Sequence, residues 1–280
     1  MIFSQTISSL KGVLGSQNLQ NSKIGFVPTM GALHEGHLSL IRKAKEENDF
    51  VVCSIFVNPT QFNNPNDLKA YPRTLETDMK LLAEQDCDLL FFPSVQEMYP
   101  DSLKKESAED YGNFIHVLEG KHRPGHFDGV VTIVNKLFDL VQPNHVYFGQ
   151  KDYQQCLVVK ELIKRNHPSI YFHQCEVVRE NDGLAMSSRN IRLNEQERKA
   201  ALVLSKALFH LQQSWNENHW MDEKQKSIQM IQQEPLLELE YFEVADRFSL
   251  QTLDKFQKEA VCLVAANCGS TRLIDNVLLA

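Results

Sequence analysis

Only two of the 280 residues are tryptophan, and only six are cysteine, none of them in a CxxC pair. Cys53, Cys87, Cys156, Cys175, Cys262 and Cys268 are scattered, several inside apolar runs such as VVCSIFV and VCLVAANC. Such cysteines read as buried, reduced thiols and give no support to a zinc site or a disulfide framework. No stretch approaches the ~20 apolar residues of a membrane span. The N-terminal MIFSQTISSLKGVLGS has one late lysine and no apolar core, so it does not read as a secretory leader. Positive charge is also short, with 29 Lys and Arg against 36 Asp and Glu, a net charge of −7. That balance argues against nucleic acid or an anionic membrane as the main partner. It leaves room for a small anion held by a local cluster of cations. Repeats and low-complexity tracts are missing as well, and a cytoplasmic location is expected.

What is present is globular: 42% apolar and 23% charged residues. The length exceeds one typical core, so a large domain and a smaller one are expected. Short apolar runs alternate with amphipathic stretches through the first half. Strands are predicted over 24–29, 51–57, 88–92, 145–148 and 171–175. Helices are predicted over 36–48, 74–85, 128–141 and 153–165. This alternation predicts an α/β fold, a Rossmann-like parallel sheet whose ligands bind beyond the carboxyl ends of the strands. After residue 178 the pattern changes to helices over 194–214 and 221–233 and strands over 239–245, 260–266 and 272–276. The expected division is therefore a first domain over 1–177 and a smaller α+β domain over 178–280.

Four polar segments sit where strands would meet helices. VPTMGALHEGH runs from an apolar strand into a helix start. Gly31 and Gly36 allow close approach of backbone, the helix N-terminus favours phosphate, and His34 and His37 stand three apart on one face. The pair lacks HExxH spacing and a third ligand, so metal is the weaker reading. FVNPTQF leaves the next strand, and Asn58 and Gln61 suit a substrate with hydroxyls and a carboxylate, the alternative being an ordinary Asn-Pro turn. FGQKDYQQ places Gly149, Lys151 and Asp152 at another helix start, where a lysine opposes the helix dipole unless an anion is present. RENDGLAMSSRN offers Ser187, Ser188 and Arg189 to phosphate oxygens, or is simply a linker. KHRPGHF gathers Lys121, His122, Arg123 and His126 in a loop that is either solvated or carboxylate-binding.

Together with YPRTLETD, RPGHFDGVVTIVNKLFDLVQP and TRLIDN, these segments resemble the pantoate–β-alanine ligase family of the nucleotidylyltransferase superfamily. They run in the family's order from about residue 24 to 276. The resemblance implies ATP as co-substrate with Mg2+, pantoate and β-alanine as the other small molecules, and a homodimer. It implies a nucleotide site made of Met30, Gly31, Ala32, Leu33, His34, Glu35, Gly36 and His37, of Gly149, Gln150, Lys151 and Asp152, of the backbone at Val178, and of Met186, Ser187, Ser188 and Arg189. His37 would be the general acid, with His34, Lys151 and Arg189 as its catalytic companions. Gln61 and Gln155 would bind pantoate, Gln61 would also serve β-alanine, and Asn58 and Arg123 are further substrate candidates. The protein ligands of the metal are not implied. The rival reading within the superfamily is a simple adenylyl- or cytidylyltransferase.

Overall fold

Short apolar runs become the strands of one parallel sheet. The computed structural model describes residues 1–16, 19 and 21–280. The chain order is β1 (Ile2–Ser4), α1 (Ile7–Leu14), β2 (Ile24–Thr29), α2 (Glu35–Glu47), β3 (Phe50–Ile55), α3 (Pro65–Ala70), α4 (Leu75–Glu84), β4 (Leu89–Phe91) and α5 (Val95–Met98). Then follow α6 (Leu118–His122), α7 (His126–Val141), β5 (His145–Gly149), α8 (Tyr153–Asn166) and β6 (Tyr171–Cys175). The strand order is β1-β4-β3-β2-β5-β6, with every neighbouring pair parallel. Helices cover both faces, which is why β2 and β3 read as continuous apolar runs and not as alternating ones. On one face Leu40, Ile41 and Ala44 of α2 meet Leu82 of α4. On the other, Leu10, Val130, Phe138 and Val158 join α1, α7 and α8 to the sheet.

The strand order changes direction between β2 and β5, and ligands of such sheets bind at that crevice. The helices anticipated from sequence agree to within two residues. Helix α7 starts earlier than expected because Gly125, at φ 74°, turns the chain sharply enough for His126 to begin it. Neither β1 nor α1 was anticipated; a strand of three residues carries almost no periodicity.

The remainder comprises α9 (Glu195–Gln213), α10 (Trp220–Gln232), β7 (Leu237–Ala245), β8 (Ala260–Cys268) and β9 (Thr271–Leu279). The three strands form an antiparallel sheet in that order. Helix α9 opens on a capping box: Asn194 accepts from the Gln196 and Glu197 amides while Glu197 accepts from the Asn194 amide, each at 2.9 Å. Alternation along β8 divides its side chains. Cys262, Val264 and Ala266 pack on α9 and α10, whereas Val261, Leu263 and Ala265 pack on Leu118, Tyr153 and Leu157 of the first layer.

A charged seam lies on that second face. Arg272 donates to Glu119 at 2.7 and 2.8 Å and to Glu240 at 2.7 Å. The Tyr241 hydroxyl donates to Glu119 at 2.7 Å. Among the described residues, no helix is long and apolar enough to cross a membrane.

Candidate active site

The carboxyl ends of β2, β3 and β5 open into one cavity of about 190 Å³. Met30, His34, Gly36 and His37 line it from the β2–α2 connection, and Gln61 from the turn after β3. Gly149, Lys151, Asp152 and Gln155 line it from the β5–α8 connection, and Val178, Met186, Ser187, Ser188 and Arg189 from the segment before α9. Four stretches distant in sequence therefore converge at the switch point of the sheet.

The two imidazoles are packed together, with ring centroids 4.0 Å apart. The His34 amide donates to His37 Nδ1 at 3.3 Å, which leaves the proton of a neutral His37 on Nε2. Gly36 makes room for His34: a Cβ there would stand 3.0 Å from its ring. Burial and the nearby Lys151 charge push the His34 pKa down to about 4. Burial, then His34 and Lys151, hold His37 well below the ordinary imidazole value. Both rings are accordingly neutral hydrogen-bonding groups near pH 7. His34 Nδ1 is buried with no partner among the described residues. The side-chain amides of Gln61 and Gln155 likewise face the cavity without a hydrogen bond to any described residue.

The 187–189 turn is docked onto the first layer. Ser188 Oγ donates to the Ala32 carbonyl at 2.9 Å. Arg189 donates to Asp67 of α3 at 2.9 Å and stands over the Tyr71 ring, 5.4 Å from its centroid. Arg192 takes the other oxygen of the same carboxylate at 2.9 Å. Lys151 Nζ has Asp152 at 3.7 Å.

A sequence model described as Pantoate-beta-alanine ligase matches residues 2–278. The chain belongs to the pantoate-beta-alanine ligase family. It is 45% identical to the pantothenate synthetase of Acetivibrio thermocellus over 277 residues, covering 98% of each. It is equally similar, at 45% over 275 residues, to that of Bacteroides thetaiotaomicron, covering 97% of this chain and 96% of the relative. The crystal structure of pantothenate synthetase from Thermus thermophilus superposes with a TM-score of 0.91 at 40% identity, covering 99% of each chain. The pantoate-beta-alanine ligase of Francisella tularensis, solved with beta-gamma ATP and beta-alanine, superposes at 0.83 with 38% identity, covering 99% of this chain and 97% of that one.

Several residues singled out from sequence stand elsewhere in this pantoate-beta-alanine ligase fold. Asn58, expected at the substrate, is 0% exposed. Its amide donates to the Gly129 carbonyl at 3.0 Å, and its oxygen accepts from Thr60 at 3.0 Å and Tyr99 at 2.9 Å. With both ends occupied, it shapes the turn that carries Gln61. Arg123 lies in an adjoining compartment and not on the main wall. It donates to the Gln61 carbonyl at 3.3 Å and to His126 Nε2 at 3.2 Å, while His126 Nδ1 donates to the same carbonyl at 2.9 Å. The KHRPGHF loop therefore braces Gln61. The amides of Ala32 and Leu33, residues expected in the nucleotide site, donate to the buried Asp78 carboxylate at 2.9 Å each. Gly31 faces a neighbouring cleft. Glu35 pairs with Arg42 on the surface, and Gln150 turns toward Asn276 at 3.2 Å. Leu33, Glu35 and Gln150 do not line the cavity. Gly149 has an ordinary backbone at φ −77°, and a Cβ there would meet nothing within 4 Å. Its glycine supplies space, not an unusual conformation.

Asp67, Tyr71 and Asp78 were not foreseen as site residues. Asp67 and Tyr71 belong to the polar stretch between FVNPTQF and α4 and Asp78 to the first turn of α4, and their roles depend on partners 45 to 122 positions away in sequence.

Proposed function

We propose that the chain condenses pantoate with β-alanine at the expense of ATP, through a pantoyl adenylate. The observation that carries this reading is the convergence on one cavity of two neutral imidazoles, Lys151 and the Ser187–Ser188–Arg189 turn with two unpartnered amide side chains, Gln61 and Gln155.

The pantoate carboxylate is ionised at neutral pH and needs no base. Its oxygen bonds to the α-phosphorus while the bond to the β-phosphate oxygen breaks and pyrophosphate leaves. The obstacle is repulsion between anions, which Lys151 and Arg189 screen, so positioning and electrostatics govern the step. His34 and His37 act as neutral donors through their ring N–H groups, with His37 the donor toward the charge developing on the phosphates. Gln61 and Gln155 hold pantoate, and Gln61 extends to β-alanine. In the second step the deprotonated amine of β-alanine bonds to the acyl carbon, the carbon–oxygen bond to the phosphate breaks, and AMP departs.

Among the described residues there is no group of three His, Cys, Asp or Glu able to hold a metal ion. Mg2+ in this reading arrives on the nucleotide phosphates, where it adds charge neutralisation. The homodimer and the division into residues 1–177 and 178–280 belong to the same proposal.

Product analysis tests the reading. AMP and pantothenate should form only when ATP, pantoate and β-alanine are all supplied. A released product that still keeps the nucleotide when β-alanine is supplied would favour a nucleotidyltransferase instead.

A further inference from the structure

The TRLIDN segment takes no part in the chemistry described above, yet its last two residues reach across to the cavity's rear wall. Asn276, in the middle of β9, is 2% exposed although it is fully polar. Its Nδ2 donates to the Gln150 carbonyl at 3.0 Å and to the Lys151 carbonyl at 2.9 Å. Its Oδ1 accepts from Gln150 Nε2 at 3.2 Å. The amide group thus spends both donors and an acceptor on one short turn, 125 and 126 positions away in sequence. Its neighbour Asp275 holds Arg179, at the start of the 179–192 segment, through two hydrogen bonds of 2.6 and 3.0 Å.

We propose that Asn276 is a positioning residue for adenylate formation: it fixes the 150–151 peptide from the second sheet and thereby sets Lys151 in the cavity. The inference rests on the assignment of Lys151 to the nucleotide phosphates. The turn needs such a grip because its cavity side is open, with nothing within 4 Å of a Cβ at Gly149. The grip is firm because β9 is paired along its length with β8, Asn276 lying opposite Leu263. The chemistry is specific to an amide. A carboxylate in the same place has no donors and would set its oxygens against two carbonyl oxygens in a buried site. Misplacing a reacting group by about 1 Å costs on the order of 100-fold in rate.

The test is a double-mutant cycle on the single-turnover rate of pantoate-dependent pyrophosphate release, using wild type, Asn276→Asp, Lys151→Ala and the double variant. Asn276→Asp should lower the rate on the order of 100-fold. In the Lys151→Ala background the same change should cost no more than about threefold, because contacting residues couple and independent ones add. Equal losses in both backgrounds would make Asn276 a structural residue and overturn the proposal while leaving Lys151 in its role. A wild-type rate for Lys151→Ala would overturn both. Should Asn276→Asp fail to fold, Asn276→Ser replaces it in the cycle. It keeps one donor, so a loss of roughly tenfold that vanishes in the Lys151→Ala background supports the proposal. A loss that persists there, or no loss at all, overturns it.

Discussion

Two arginine clusters flank the candidate site, and they differ in how their charges balance. At the seam, Arg272 and Arg123 face Glu119 and Glu240, two cations against two carboxylates. Those hydrogen bonds lower the Glu119 pKa to about 2 in spite of its burial. At the cavity mouth, Arg189 and Arg192 share the single carboxylate of Asp67, whose pKa is also held down by them against its burial. The seam is closed on itself and has nothing left for a ligand. The mouth has a cation in surplus, which in the proposed reading meets the triphosphate. A net charge of −7 over the whole chain hides this local excess.

If the seam is permanent, breaking it should produce the largest change. Glu119→Ala takes away the carboxylate partner of the half-buried Arg123, leaves Arg272 to Glu240 alone and removes the acceptor of Tyr241, and should cost about 3–5 kcal/mol of unfolding free energy in a denaturant titration. A cost below about 1 kcal/mol would place the seam on the same footing as an exposed ion pair. At the chamber, His37→Ala should slow pyrophosphate release by about 10²–10³-fold while pantoate still binds, as expected for loss of one preorganised donor. Normal release in a single turnover would remove His37 from the chemistry.

The buried histidines give a smaller effect that separates in pH from the seam. Their ordinary value is 6.5, whereas His34 titrates near 4 and His126 near 3 in the folded chain. The unfolded chain therefore binds protons that the folded chain refuses. Stability is fully present above pH 6.5 and falls as pH drops, the His34 contribution ending near 4 and that of His126 near 3. Each slope is roughly 1.4 kcal/mol per pH unit. Glu119 acts only below its ordinary 4.5, so the window from pH 6.5 to about 5 isolates the histidines. A melting temperature unchanged across that window would contradict the assignment. The smallest effect belongs to the mouth. Asp67→Asn leaves the surplus cation less restrained, and should lower KM for ATP roughly threefold, the scale of a partly exposed ion pair. A raised KM would show that Asp67 aims Arg189 instead of holding it back.

Much of this was legible in the chain, and what was not has a physical cause. The buried runs at residues 24–29 and 51–57 declare their strands because parallel sheets bury both faces. Residues 2–4 could not, being three residues at an edge with two of them exposed. Strand β9 was expected over 272–276 and runs on to Leu279; Asp275 and Asn276 are tolerated mid-strand because Arg179 and the 150–151 peptide satisfy them. The site was legible as residue types and order. Occupancy was not: the Asn58 amide, the Ala32 and Leu33 amides and the Arg189 guanidinium are each engaged by a residue at least 45 positions away. Local sequence cannot distinguish a donor that waits for substrate from one already committed to the fold.

The central claim is that the surplus cations, the paired imidazoles and the free glutamine amides act on one nucleotide and one carboxylate together. Exchange of labelled pyrophosphate into ATP, measured with and without pantoate and in the absence of β-alanine, tests it most directly. Exchange should appear only when pantoate is present. Exchange without pantoate, or none with it, would contradict the account.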